Sequence, residues 1–303
     1  MIMDQTRREF LKQSAAAAAL AALSTSALPA AEASPAPKRS IKKAIMFATV
    51  GVKGSVMEKM KAVKEAGFEG VEPMSHMDQD DVVKALEATG LQAASVCCAT
   101  HWNDTLTHPS ENIRNRGVEG LKQSLKDAKR YGAGSVLLVP GVVNKEVSYS
   151  DAWTRSVAQI RKAIPLAEEL QVRISIENVW NNFLLSPLEA ARFVDELNSP
   201  WVGWHFDIGN VIHYGWPEQW VQILGKRINR LHIKEFSRKI ADKQGRYAGF
   251  GAKFLEGDND WPSVMKALDA VGYQGWGIAE QGGGDSPEGL KDLAQRMDKI
   301  FAS

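Results

Sequence analysis

The sequence predicts an α/β protein, a single-domain (β/α)8 TIM barrel. Three observations lead there. From Ile45 onward, short apolar runs alternate with longer helical patterns. Several helical patterns end in a glycine turn that feeds straight into the next run: Glu-Ala-Gly67-Phe, Ala-Thr-Gly90-Leu, Arg-Tyr-Gly132-Ala and Ala-Val-Gly272-Tyr. Glycine tolerates the left-handed conformation that closes a helix. Eight such units fit the roughly 270 residues left after the N-terminal segment, the usual size of one barrel. An open doubly wound sheet is disfavoured, because no Gly-x-Gly-x-x-Gly follows the first run.

The predicted strands are 44–50, 70–75, 91–98, 135–141, 172–179, 202–208, 228–236 and 275–281. The predicted helices are 55–66, 79–89, 110–131, 150–170, 187–197, 217–224, 261–271 and 286–301. Asp78, Ser150, Ser186 and Ser286 are N-cap candidates, and Pro187, Pro217, Pro262 and Pro287 fall at or near the first helical position. The segment 237–260 is long, charged and rich in glycine, which predicts a lid at the carboxyl end of the seventh strand.

Residues 1–33 lie outside this pattern. Thr6-Arg7-Arg8-Glu9-Phe10-Leu11-Lys12, the Ala-rich run that follows and Ala31-Glu32-Ala33 predict a twin-arginine export signal. Residues 34–43 are expected to form an exposed leader, and 44–303 the barrel. The apolar run is too short and Ala-rich for a stable membrane span, so a periplasmic or otherwise exported protein is expected. The twin-arginine route carries folded proteins, so a metal can be selected before export, away from competing Cu and Zn.

Formal net charge is +1, which argues against nucleic acid or an anionic membrane as partner. The two cysteines, Cys97 and Cys98, are adjacent and so expected to be buried rather than disulfide-bonded. Nine tryptophans are many for one chain; some are expected to line a cleft for a sugar.

Four apolar runs end in a residue able to bind a divalent metal: Glu177, Asp207, His232 and Glu280. Their separations are 30, 25 and 48 residues, about one βα unit each with one insertion. On parallel barrel strands the four side chains converge at the carboxyl end, where barrel enzymes keep their chemistry. Strand alternation turns Lys234 inward with His232, His205 inward but deeper than Asp207, and Ser175 and Val179 inward with Glu177. Carboxylates and an imidazole suit one divalent ion (Mn, Mg, Co or Zn) that polarises the carbonyl of a hydroxy-ketone. Glu177 and Glu280, on different strands, suit the removal of a proton beside that carbonyl and its return on the opposite face through an enediolate.

These motifs resemble the sugar phosphate isomerase/epimerase family, the xylose isomerase-like TIM barrels that include ketose 3-epimerases. The resemblance runs from Ile45 to Phe301. It rests on Gly67-Phe-Glu-Gly-Val-Glu72, Ile176-Glu-Asn178, Phe206-Asp-Ile-Gly-Asn210, Leu231-His-Ile-Lys-Glu-Phe236, the stretch from Asp260-Trp-Pro to Gly272-Tyr-Gln-Gly275, and Ala279-Glu280. It implies that Glu177, Asp207, His232 and Glu280 hold the metal, with Glu177 and Glu280 as the acid/base pair. It further implies Arg238, Lys234, His101, Glu72 and Asn210 as substrate-binding positions. Glu235 stands where the family's His-x-Lys-Asp variant has Asp, Asn210 where some epimerases carry His, and Phe183 where those enzymes carry a Glu that holds the sugar's terminal hydroxyl. No phosphate cradle of paired basic residues and glycine amides is evident. The expected partner is therefore a free sugar or oxidised glycoside, with a homo-oligomer possible.

The same first step on a 3-keto-glycoside leads to elimination, so a lyase is the alternative. A non-catalytic sugar-binding barrel is a further one. An endonuclease-IV-like nuclease is disfavoured by the six histidines and the charge of +1.

Overall fold

A computed structural model describes residues 39–303. The predicted export signal at 1–33 and half of the predicted leader, 34–38, lie outside them. Nine strands form one sheet in the order β3-β2-β1-β9-β8-β7-β6-β5-β4. They are β1 (Ile41–Met46), β2 (Gly70–Glu72), β3 (Gln92–Ala93), β4 (Val96–Cys97), β5 (Ser135–Leu138), β6 (Arg173–Glu177), β7 (Val202–Asp207), β8 (Ile228–Ile233) and β9 (Gly275–Ala279).

Every pairing between these strands is parallel. The extra strand is one predicted strand in two pieces, since β3 and β4 are separated only by Ala94 and Ser95. β3 pairs with β2 and β4 with β5, and the Cys97 amide donates to Pro73 O at 2.9 Å, which closes the barrel at this interrupted strand. The eightfold architecture is thus the expected one.

The helices cover the sheet from outside. Their apolar faces bury Met60, Leu121, Phe193, Leu268 and Met297 against strand residues such as Val71, Ile174 and Leu231. Four details differ from the sequence reading. β1 begins at Ile41, so 41–43 belong to the barrel, not to a leader. Arg39 is also tied down: it makes a bidentate pair with Asp269 (2.9 and 2.7 Å) and donates to Phe301 O at 2.6 Å.

The predicted helix 150–170 is two helices, Tyr149–Arg161 and Ile164–Leu170, broken where Pro165 lacks a backbone donor. Its cap is Ser148, which accepts from the Asp151 amide, not Ser150. Finally, 237–260 is no irregular loop. It contains a helix at Arg238–Gln244 and a 3-10 turn at Arg246–Gly251. Among the described residues, no helix is long and apolar enough to cross a membrane.

Candidate metal and substrate site

Strand register brings the four sequence-predicted ligands together. Glu177 on β6 pairs with His205 on β7, Asp207 with His232 on β8, and Ile233 with Ala279 on β9, one residue before Glu280. The β7–β8 ladder contains a shift: Trp204 pairs with Ile228 but His205 with Arg230, leaving Asn229 as the extra residue. Without it Asp207 would face Leu231, and a one-residue slip reverses every side chain. The bulge therefore sets Asp207 and His232 side by side. It needs Gly203, where a Cβ would come within 2.1 Å of Asn229 Nδ2. Asn229 Nδ2 instead reaches Ser175 Oγ at 3.2 Å.

One donor atom from each of Glu177, Asp207, His232 and Glu280 lies within 4.8 Å of the others. His232 Nδ1 is 2.9 Å from Glu177 Oε1 and 3.1 Å from Glu280 Oε2. Its other nitrogen, Nε2, is 2.9 Å from Glu72 Oε2. Asn178 fixes Asp207 from the neighbouring strand end. Its Oδ1 accepts from the Asp207 amide (3.0 Å) and from Trp204 Nε1 (3.1 Å), and its Nδ2 donates to Asp207 O (2.8 Å). Lys234 Nζ donates to Glu280 Oε2 at 2.8 Å and Asp207 Oδ2 at 3.3 Å.

Burial and charge separate the protonation of the carboxyl groups. Burial pushes Asp207 up to about 7 against the pull of Lys234. Burial likewise raises Glu177, more than its bond to His232 lowers it. Burial acts on Glu280 too, but Lys234 and His232 outweigh it and hold that carboxyl well below its ordinary range. Burial opposes charge on His232, yet Glu72, Glu280 and Glu177 raise it well above the ordinary histidine value.

The donor set fits a divalent cation. Three carboxylates and one imidazole are the ligands of hard to borderline ions, and Glu72 at Nε2 orients the ring so that Nδ1 faces the other ligands. Glu72, His205 and His232 form a second, deeper group. There Glu72 Oε1 and both His205 ring nitrogens are buried without a hydrogen-bond partner. Burial keeps His205 neutral, its pKa well below the usual value.

The predicted substrate contacts divide. A cavity of about 380 Å³ opens onto the quartet and is lined by Glu177, His232, Glu280, His101, Lys234 and Asn210, among others. His101 accepts from the Val139 amide at Nδ1 (3.2 Å), and burial lowers its pKa to about 4. It is thus a neutral imidazole with its hydrogen on Nε2. Asn210 is held by its amide to Asp207 Oδ1 (2.9 Å) and its Nδ2 to Asn178 O (2.9 Å).

Two of the expected substrate positions lie outside this cavity lining. Glu72 is fully buried behind His232 and does not line the cavity. Arg238 is also absent from the lining, its guanidinium donating to Ile212 O (2.8 Å) and Gly215 O (3.1 Å). Phe183 is likewise turned away from the cavity, into a cluster with Tyr149, Trp153 and Phe193.

Sequence reasoning missed part of the cavity wall. Trp102, Trp180, Tyr247 and Phe250 line it. Trp102 lies in the 99–109 loop, which the sequence places at the active end with His101, whereas Trp180 was covered only by the general expectation that tryptophans line a cleft. Tyr247 and Phe250 come from 237–260, whose base is fixed by Glu235 and Gln281. Glu235 accepts from the Leu255 amide (2.8 Å), Trp261 Nε1 (2.9 Å) and the Asn259 amide (3.2 Å). Gln281 Nε2 donates to Phe250 O and Ala252 O at 2.8 and 2.7 Å. Gly257 permits this closure, since a Cβ there would lie 2.5 Å from Glu235 Oε1 and from Phe236 O. A larger groove of about 750 Å³, lined by Arg173, Asp195, Lys226 and Arg227, lies at the opposite, amino-terminal ends of the strands.

The chain is 23% identical over 261 residues to the L-ribulose-5-phosphate 3-epimerase UlaE of Escherichia coli, covering 81% of this chain and 89% of that one. Among solved structures, a D-tagatose 3-epimerase-like protein superposes with a TM-score of 0.74 at 17% identity, over 86% of this chain and 97% of the other. The 3-keto-D-glucoside 4-epimerase YcjR of E. coli does so with a TM-score of 0.74 at 15% identity, over 87% and 100%. The family model described as xylose isomerase-like TIM barrel matches residues 60–300. The chain therefore belongs to the xylose isomerase-like TIM barrel family.

Proposed function

We propose that this protein is a divalent-metal-dependent sugar isomerase or epimerase acting on a ketose or keto-sugar, with Glu177 and Glu280 as its acid/base pair. The observation that carries the reading is the position of these two carboxylates. Both lie against His232 Nδ1, at 2.9 and 3.1 Å, from strands on either side of β7 and β8, and their environments drive their protonation apart. Glu177, Asp207, His232 and Glu280 would hold the ion. When bound, it supplies Lewis-acid polarisation of the substrate carbonyl.

The chain's own residues do the rest. Glu280, kept ionised by Lys234, is the base that takes the proton from the carbon beside the carbonyl, leaving an enediolate. Glu177, whose carboxyl holds its proton more readily, returns a proton to the opposite face and inverts the carbon. His101 offers its Nε2 hydrogen to a substrate oxygen. The similarity to proteins named as epimerases supports the proton-transfer chemistry. The twin-arginine segment at 1–33 supports action outside the cytoplasm, after export of the folded protein.

A second reading keeps the first step and changes its outcome. If the substrate is a 3-keto-glycoside, the same carbanion can expel a β-substituent, which makes the enzyme a lyase.

The test is solvent-deuterium incorporation across a panel of ketoses and 3-keto-glycosides with Mn2+ present. Exchange beside the carbonyl, lost in Glu177→Gln and Glu280→Gln, is expected; aglycone release in place of exchange identifies the lyase. Metal-loaded protein that exchanges and cleaves nothing across the panel contradicts both readings.

A further inference from the structure

We propose that the substrate is a neutral glycoside, with its reacting ring at the quartet and a second ring stacked on the wall formed by Trp180, Tyr247 and Phe250. This rests on the sugar-transforming reading above and narrows it to a substrate class.

Trp180 follows β6 by three residues, close to Glu177. Its Nε1 donates to Asn210 O at 2.8 Å, which fixes the plane of the ring. Phe250 and Tyr247 stand around it, with ring centroids 4.9 and 5.2 Å away and planes tilted by 49° and 48°. All three line the cavity that holds Glu177, His232 and Glu280. Tyr247 is 60% exposed, so the wall runs from the quartet out to solvent. A rigid aromatic face recognises the flat apolar side of a pyranose or an aryl ring. At about 380 Å³ the cavity has the size that encloses a whole small ligand.

Charge points the same way. Among the described residues, Lys234 is the single lysine or arginine lining the cavity, and its ammonium is engaged by Glu280 and Asp207. A phosphate needs unengaged donors. Arg246 is outside the lining; its guanidinium lies over Tyr247 (4.7 Å) and Trp180 (5.6 Å) and donates to Tyr247 Oη at 2.9 Å.

The experiment is calorimetric titration of Mn2+-loaded protein with four ligands. They are methyl 3-keto-glucoside, para-nitrophenyl 3-keto-glucoside, 3-keto-cellobiose and a ketose phosphate. At least one two-ring ligand is expected to bind about ten-fold tighter than the methyl glycoside. That advantage should disappear in Trp180→Ala and shrink in Tyr247→Ala, whose exposed side chain can be removed without disturbing the core. A preference for the aryl compound or for the disaccharide identifies the second ring, and either supports the proposal. Methyl glycoside binding as tightly as both two-ring ligands, or the ketose phosphate binding tightest, overturns it while leaving the sugar-transforming reading intact. Failure of all four to bind overturns that reading as well.

Discussion

Glu72 Oε2 lies 2.9 Å from His232 Nε2, on the nitrogen opposite the one that faces Glu177 and Glu280. A carboxylate at one nitrogen fixes the tautomer and plane of the ring and makes the other nitrogen a better ligand. Glu72 is therefore placed to position His232. Glu72→Gln should weaken Mn2+ binding about 10- to 100-fold, measured by equilibrium dialysis. Far-UV circular dichroism should remain that of the wild type.

The bulge at Asn229 gives a second prediction. Gly203→Ala puts a methyl group where Asn229 Nδ2 now sits, 2.1 Å from the new atom, and 2.8 Å from Arg227 O. The variant should lose about 1–3 kcal/mol in urea unfolding. It should also bind metal more weakly, because the shifted register carries Asp207 away from His232. Adding Asn229→Ala removes the larger clash and should recover part of both losses; additivity in this double mutant would argue against the coupling.

Metal affinity should depend on pH. Burial holds Asp207 near 7 and raises Glu177, so below about pH 7 the metal-free site carries protons that an ion must displace. Binding therefore tightens as pH rises through about 7, with proton release largest below that value and smaller above it. Titration at several pH values, in buffers of differing ionisation enthalpy, measures the release. Affinity that is flat between pH 6 and 8 contradicts the assignment of Asp207 as a ligand.

Glu235 predicts the behaviour of the segment that carries Tyr247 and Phe250. Its buried carboxylate accepts from Leu255, Asn259 and Trp261. Glu235→Ala leaves those donors without their acceptor and should cost about 2–4 kcal/mol. Trypsin should then cut within 237–260, at Lys239, Lys243 or Arg246, faster than in the wild type. Asn178→Ala should behave differently. It loses three hydrogen bonds around Asp207 and Trp204 and should weaken metal binding without opening that segment.

The sequence reading recovered the barrel because two short periods carry it. Apolar runs mark buried parallel strands, and helix-closing glycines such as Gly90 and Gly132, at φ 67° and 75°, mark where each unit turns. The quartet was legible for the same reason, since each member lies within one residue of a strand's end. The bulge was not, because Asn229 breaks no pattern until its partner strand is known.

The present partners of Glu72 and Arg238 were not legible for a related reason. Position in the chain brings both near the carboxyl end of the barrel, but their partners, His232 Nε2 and the carbonyls of Ile212 and Gly215, come from other elements. The aromatic wall lies in segments after the strands, where no periodicity tells which ring turns toward the cavity.

The central claim is that Glu177, Asp207, His232 and Glu280 hold one divalent ion. Its most direct test is metal stoichiometry by mass spectrometry after Mn2+ loading and desalting, wild type against His232→Ala. About one ion per chain in the wild type and essentially none in the variant is the predicted result. Equal metal content in the two proteins, or none in either, would contradict it.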